Sequence, residues 1–245
     1  MTTQYLSFDI ETAKVTPEGE DVQLHRPLGI SCWAVAWVDG RDVVVSHSFS
    51  GTDAEGGITP QLTREECIAL VWRLHRAVER GFTILTHNGA GFDFDILAEE
   101  SGMHSLCAHL ALHSVDTCFL VHCLKGFPVG LDAIARGMGL SGKAEGMSGA
   151  LAPQMWAEGK FQEVLAYVEQ DVRATLNVAL EIEKLRLLAW ISRSGKRNIL
   201  LVPQLLTVEE ALRLPEPNTS WMSDPLPRSR FVGWMEMAND GVPAR

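Results

Sequence analysis

The chain reads as an α/β domain with a mixed β-sheet flanked by helices. Three observations predict this. Strand-like segments come first, at residues 5–10, 28–38 and 42–49; helical and strand-like segments then alternate from residue 63 to residue 116; and a long helical pattern occupies residues 161–190. Strands followed by helices alternating with strands give a sheet that is part antiparallel and part parallel.

The first strand alternates strictly. Leu6, Phe8 and Ile10 point one way, and Ser7, Asp9 and Glu11 the other, so one face is apolar and one polar. Residues 13–28, charged and holding Pro17 and Pro27, read as a loop. Leu28 to Val38 is apolar and Asp42 to Phe49 is rich in β-branched residues, with Asp39-Gly40 between them, which is the signature of a hairpin. Thr63 to Arg80 reads as a helix with Thr63 as its cap, Glu66 at the capping-box position and Gly81 as its stop. Phe82 to Thr86 is a short buried strand, and a second helix begins over Gly91 to Ser101.

Residues 102–160 carry weaker patterns. His113 to Asp116 reads as a short strand and Leu131 to Met138 as a short helix, while Gly137, Gly139, Gly142, Gly146 and Gly149 mark loops. Phe161 to Trp190 then reads as one continuous helix. Beyond Lys196 prolines multiply and only Val208 to Leu214 looks helical, yet Trp221, Phe231 and Trp234 give this stretch more large apolar residues than a disordered tail holds. The expected organisation is a domain over residues 1–195 and a C-terminal extension, 196–245, packed on it.

The composition is that of a globular protein: 245 residues, 46% apolar, 21% charged. No run of eighteen apolar residues occurs, and Met1-Thr2-Thr3-Gln4 has neither a basic stretch nor an apolar run, so no membrane span or secretory signal is expected and the chain reads as cytoplasmic. Five cysteines without a C-x-x-C pair argue against structural zinc and a disulfide framework. A net charge of −10 argues against a broad basic surface that coats nucleic acid, but not against an enzyme that grips a strand end.

The chemistry lies in three segments: Phe8-Asp9-Ile10-Glu11-Thr12, Asn88-Gly89-Ala90-Gly91-Phe92-Asp93 and Tyr167-Val168-Glu169-Gln170-Asp171. Asp9 and Glu11, two apart on a strand, share a face. Asp93 opens a helix after a glycine-containing turn, where the helix dipole alone would favour an acid, and Asp95 stands close enough to be the functional acid instead. Asp171 interrupts the core-facing stripe Val164, Tyr167, Val168, Asp171, Val172, and an acid there is costly unless a cation pairs with it. Tyr167 lies one turn earlier on the same face. Like charges gathered at one site raise each other's pKa, and divalent cations with hard oxygen ligands are the usual reason for such a gathering.

These segments, in this order, resemble the DEDD superfamily of 3′→5′ exonucleases, of DnaQ-like, RNase H-like fold, in the branch whose third motif carries tyrosine. The related branch has histidine five residues before the last aspartate, where this chain has Ala166. Val115-Asp116-Thr117, Leu131-Asp132-Ala133-Ile134-Ala135, Gly139-Leu140 and Lys143 are further similar to the exonuclease domains of family B DNA polymerases, and the resemblance covers residues 5–190. The family pattern selects Asp93 over Asp95.

The resemblance implies an RNase H-like fold and two Mg²⁺ or Mn²⁺ ions held by Asp9, Glu11, Asp93 and Asp171. It makes Asp9 the bridging ligand, with Glu11 and Asp171 completing one site and Asp93 holding the other through water. Two ions about 3.5–4 Å apart activate water and stabilise the leaving oxygen. Tyr167 would orient that water, Asn88 and Phe92 would position the terminal nucleotide, and Thr12 and Lys143 would touch substrate, although Lys143 reads equally as a solvated loop lysine. The implied substrate is a single-stranded nucleic acid, with DNA favoured. An exoribonuclease is the alternative within the fold, and a non-catalytic binding module the alternative outside enzymology. The four intact carboxylates argue against the binding module. His87 is expected to be satisfied by backbone. Arg186, Arg193, Lys196 and Arg197 read either as a nucleic-acid contact or as a basic helix end complementing its own dipole.

Overall fold

The structure is a computed structural model that describes residues 4–17, 19–40, 42–141 and 149–236. Lys143 lies outside the described residues. The central sheet has five strands in the order β3-β2-β1-β4-β5. Strands β1 (Gln4–Thr12), β2 (Ile30–Val38) and β3 (Val44–Ser50) form an antiparallel meander, with the predicted hairpin closing where the Asp39 amide donates to Val43 O and its carboxylate accepts from the Val43 amide. Strands β4 (Phe82–Thr86) and β5 (Val115–Asp116) then run parallel to β1. The result is the mixed α/β sheet of an RNase H-like fold.

Helix α1 (Arg64–Glu79) starts at the predicted capping box, with Thr63 and Glu66 bonding each other's backbone. Gly81, at φ 91°, lets the chain turn directly into β4. Helices α1, α2 (Asp93–Ser101) and α3 (His104–His113) cover one face of the sheet, where Phe8 and Ile10 of β1 join the larger core with Leu70, Leu74, Phe94 and Leu97. The other face is covered by α7 (Phe161–Leu185), whose Val164, Val168, Val172, Leu176 and Ala179 pack on Tyr5, Cys32, Ala34, Ala36 and Leu85. The polar face of β1 therefore looks into the underside of α7 rather than into solvent.

Several elements depart from expectation. The long helical pattern ends at Leu185 and not at Trp190. Arg186 adopts a left-handed conformation at φ 58°, and residues 187–191 form β6 (Leu187–Ile191), which pairs with β7 (Arg197–Leu201) across a turn over residues 192–196. A left-handed arginine is unfavourable by itself. It is held because its guanidinium donates to Pro203 O and its carbonyl accepts from the Val202 amide. Arg197 is likewise committed, donating to Gly137 O at 2.8 Å, so part of the expected basic helix end is spent on docking this hairpin. The short helix expected over Leu131 to Met138 is α5 (Leu131–Gly137), and Gly137, also read as a loop marker, is its last residue.

Helices α3, α4 (Thr117–Lys125), α6 (Ala152–Ala157) and α9 (Ser229–Glu236) carried no clear signal, while α8 (Val208–Leu212) falls where a helix was expected. Beyond β7 the chain returns to the core: Val208, Ala211, Phe231 and Met235 are buried in the larger cluster, and Thr207 bridges to Val115 beside the edge of the sheet. All five cysteines are free and buried.

The docking of the β6–β7 hairpin on α5 depends on one atom's absence. A Cβ on Gly137 would stand 2.3 Å from Trp190 Cα and 2.4 Å from Ala189 O, both backbone atoms that cannot yield locally. Gly139, at φ 77°, has open space where a Cβ would go. Gly137→Ala should therefore destabilise by roughly 3 kcal/mol or more through overpacking, and Gly139→Ala by about 1 kcal/mol through backbone strain alone. Denaturant melts of the two variants check this, and equal losses would contradict the close approach.

Candidate active site

The site forms where two parallel strands part company. Pairing of β1 with β4 runs from Gln4↔Phe82 to Ser7↔Leu85 and goes no further. Into the gap beyond it comes the turn at residues 87–92, and the carboxylate of Asp93, first residue of α2, accepts the Ile10 amide at 2.9 Å. Crevices outside the carboxyl ends of parallel strands are the usual place for binding in open α/β sheets.

The turn is held rigidly. Asn88 sits at φ 76°, and a Cβ on Gly89 would meet the Thr86 side chain at 2.5 Å, so the turn tolerates only glycine there. Buried Asp116 accepts the amides of Asn88, Ala90 and Phe119 at 2.9, 2.9 and 3.0 Å, tying the turn to the start of α4. From the extension, the Trp234 indole donates to Ala90 O at 2.8 Å, and Phe231 packs so closely that a Cβ on Gly91 would lie 2.9 Å from its ring.

Across the gap, β1 offers Asp9 and Glu11 and α7 offers Asp171. Each presents a carboxylate oxygen within 4.8 Å of the other two. Asp93 joins them through a carboxyl–carboxyl hydrogen bond to Asp9. Asp95, the alternative acid, is turned away and paired with Arg26. Tyr167, buried one turn before Asp171, is hydrogen-bonded to the Asp171 carboxylate. Three of the four acids, Glu11, Asp93 and Asp171, are buried, and Asp9 is half-buried.

Electrostatics follow from this crowding. Burial, then the charges of Asp93, Glu11 and Asp171, holds the Asp9 carboxyl well above the usual carboxylate range. Burial pushes Asp93 up to about 6, against the opposing effect of the hydrogen bonds from Ile10 and Asp9. Two carboxyl groups this close cannot both ionise cheaply, so they share a proton. Burial, then Asp171 and Glu11, raises the Tyr167 phenol, which stays protonated at neutral pH. The donor set is oxygen only and anionic, which fits a hard divalent cation and not a soft metal.

A cleft of about 690 Å³ opens above these groups, lined by Asp9, Asp171, Asn88 and Phe92. Thr12 is buried at the end of β1 and is not among the cleft-lining residues. His87 lines the cleft, and its Nδ1 is 2.8 Å from Thr117 Oγ1. Sequence reasoning missed three contributors. Asp116 stood within a segment that already carried the resemblance; Phe231 was read only as a sign that the extension packs, and Arg230, which lines the cleft beside it from α9, carried no signal at all.

An RNase H-like domain with a carboxylate centre suited to divalent ions, at the carboxyl end of its central strand, is the class of protein defined here. The chain belongs to the RNase_H superfamily, whose family model matches residues 6–182. Among solved structures it is similar in fold to the family B DNA polymerase from the hyperthermophilic archaeon Pyrobaculum calidifontis. The two are 17% identical with a TM-score of 0.50, and the match covers 74% of this chain and 25% of the polymerase. The chain thus spans about a quarter of that polymerase's length. No curated protein matches it. Among the described residues no helix is long and apolar enough to cross a membrane.

The raised carboxyl groups make stability depend on pH. Asp93 titrates near 6 in the fold and near ~3.9 in the unfolded chain. The native state thus binds the proton more tightly, and this contribution to stability is fully present below ~4 and is lost as pH rises through about 6. Asp9 acts in the same direction. In the absence of divalent ions, the melting temperature should therefore fall between pH 5 and pH 7.5, and Asp93→Asn, whose amide oxygen can still accept the Ile10 amide, should flatten that fall. Scanning calorimetry in EDTA checks it. A variant as steep as the wild type would contradict the assignment.

Proposed function

We propose that this protein is a metal-dependent 3′→5′ exonuclease of the tyrosine-bearing DEDD type, removing nucleotides from the 3′ ends of single-stranded DNA. The observation that carries this reading is the meeting of Asp9, Glu11 and Asp171 within 4.8 Å, with Asp93 bonded to Asp9, from three segments far apart in sequence. Mutual repulsion makes such a cluster unfavourable as a purely structural device.

Two Mg²⁺ or Mn²⁺ ions bound by these carboxylates would supply an activated water and neutralise charge on the leaving 3′-oxygen. The chain's own residues do the rest. Asp9, which interacts with Asp93, Glu11 and Asp171 alike, would hold the ions together with those three acids. Asp93 already accepts the Ile10 amide, which suits it to an indirect role through water. Tyr167 keeps its proton on Oη beside Asp171 and therefore orients the attacking water as a hydrogen-bond partner, not as a base. Asn88 and Phe92 line the cleft and hold the terminal nucleotide, the aromatic ring by stacking.

The direct test is hydrolysis of strands labelled at either end. With Mg²⁺, a 5′-labelled DNA strand should shorten stepwise, a 3′-labelled one should release its label at once as a mononucleotide, and EDTA should abolish both. Binding without cleavage under all conditions would favour a non-catalytic module, and faster loss of RNA than of DNA would redirect the substrate. Tyr167→Phe should lower turnover on the order of 10²-fold while leaving the metal-induced rise in melting temperature nearly intact. Asp171→Asn should abolish hydrolysis, melt no lower than the wild type in EDTA, and gain less from added metal, because the wild type alone has the full ligand set. A similar drop with and without metal would instead mark Asp171 as a structural acid.

A further inference from the structure

The cleft has a wall that the family match does not include. That match ends at residue 182, and α9 begins at Ser229. Helix α9 is seated firmly: Phe231 is buried, with its ring centroid 4.8 Å from His122 and 5.4 Å from Phe119, and Trp234 bonds Ala90 O in the turn that carries Asn88 and Phe92. Arg230, on the same helix, lines the cleft together with Asp9, Asp171 and Asn88.

Arg230 is the only arginine or lysine among the described residues that line the cleft, whereas Asp9, Asp21, Asp132 and Asp171 all face it. Its guanidinium reaches 3.3 Å to Asp21, in the loop between β1 and β2 that follows the first motif, and both side chains are about half exposed, 55% and 46%. An exposed pair of this kind adds little to stability, so separating it costs little. A phosphate diester suits the planar fork of a guanidinium at least as well as a carboxylate does. A strand whose end sits on the carboxylate floor has its next phosphates among acids that repel them.

We propose that Arg230 binds a backbone phosphate of the substrate strand, leaving Asp21 as the strand enters, so that the C-terminal extension supplies the cationic grip of an otherwise acidic cleft. This rests on the exonuclease reading of the cleft. It adds the residue that holds the strand and gives the extension a role in substrate binding.

The test compares wild type, Arg230→Ala, Arg230→Lys and Asp21→Asn, each checked by thermal melt. Binding of a 5′-fluorescein oligothymidylate is followed by anisotropy with Ca²⁺ in place of Mg²⁺ over a salt series, and hydrolysis of the same strand is followed in Mg²⁺. Arg230→Ala should raise Kd and KM roughly three- to tenfold, reduce the salt slope by about 0.7 and leave kcat within about twofold. Arg230→Lys should recover part of the loss, and Asp21→Asn should tighten binding by releasing the arginine. Unchanged Kd and salt slope in Arg230→Ala, beside normal wild-type hydrolysis, would overturn the role of Arg230 alone. So would a fall in kcat at constant KM, which would mark Arg230 as a support for α9. Arg230-dependent binding by a wild type that hydrolyses nothing would uphold the phosphate grip and sink the exonuclease. Absence of both binding and hydrolysis in the wild type would overturn both.

Discussion

Four carboxyl groups confined between one strand, one turn and one helix repel one another unless cations lie among them, and the architecture is arranged around that constraint. Asp9 and Glu11 lie on the face of β1 that α7 covers, Asp171 faces them from α7, and Asp93 is fixed to the Ile10 amide. Burial and mutual repulsion push Asp9 far above the ordinary carboxylate range and Asp93 to about 6. A hydrophobic packing of the same volume would avoid that cost. The sheet yields at the same place: the β1–β4 ladder stops at Ser7↔Leu85, and the freed Ile10 amide is what Asp93 takes up. The gap in the ladder and the cluster of charge are two aspects of one arrangement.

Holding charges in place against repulsion requires a stiff surround. The turn that delivers Asp93 is pinned from behind by two of its amides donating to Asp116, which the Phe119 amide holds in turn, and it is pinned from the C-terminal side by Trp234 and Phe231. The segment that brings α9 there is stapled in turn by Arg228, whose guanidinium donates to the carbonyls of Leu212, Leu214, Pro215 and Cys123. A guanidinium whose two terminal nitrogens donate to backbone carbonyls, with Glu216 3.5 Å from its Nε, joins irregular chain to α4 where no regular ladder is available. The extension therefore completes the back and one wall of the cleft, and the larger core includes its side chains.

Local chemistry was legible wherever neighbours in sequence decide it. The Thr63–Glu66 capping box, the hairpin at Asp39-Gly40, the alternation of β1 and the stripe from Val164 to Val172 each involve residues within a few positions of one another, and each appears in the structure as read. Asp171 could be singled out because an acid set within an apolar helix stripe is costly without a partner, whereas Asp9 and Glu11, on a polar strand face, were selected by the conjunction of the three motifs in the family's order.

What lay beyond the sequence depended on partners distant in the chain. Leu187 to Ile191 is apolar enough to continue a helix, and it is a strand through its pairing with residues 197–201, its docking at Gly137 and the contacts of Arg186 with residues 202 and 203. The family pattern selects Asp93 over Asp95, but the physical difference between them is geometric: both stand in the first turn of α2, and one faces β1 while the other faces Arg26. The polar face of β1 reads as solvent-facing in a single strand and becomes the floor of a site once α7 lies over it. The sequence by itself determined which residues carry charge and which local elements bear them. Tertiary structure decided which charges meet and which face is buried, and it placed α9 at the cleft. The reason is that burial and repulsion are properties of distance in space, and distance along the chain does not encode them.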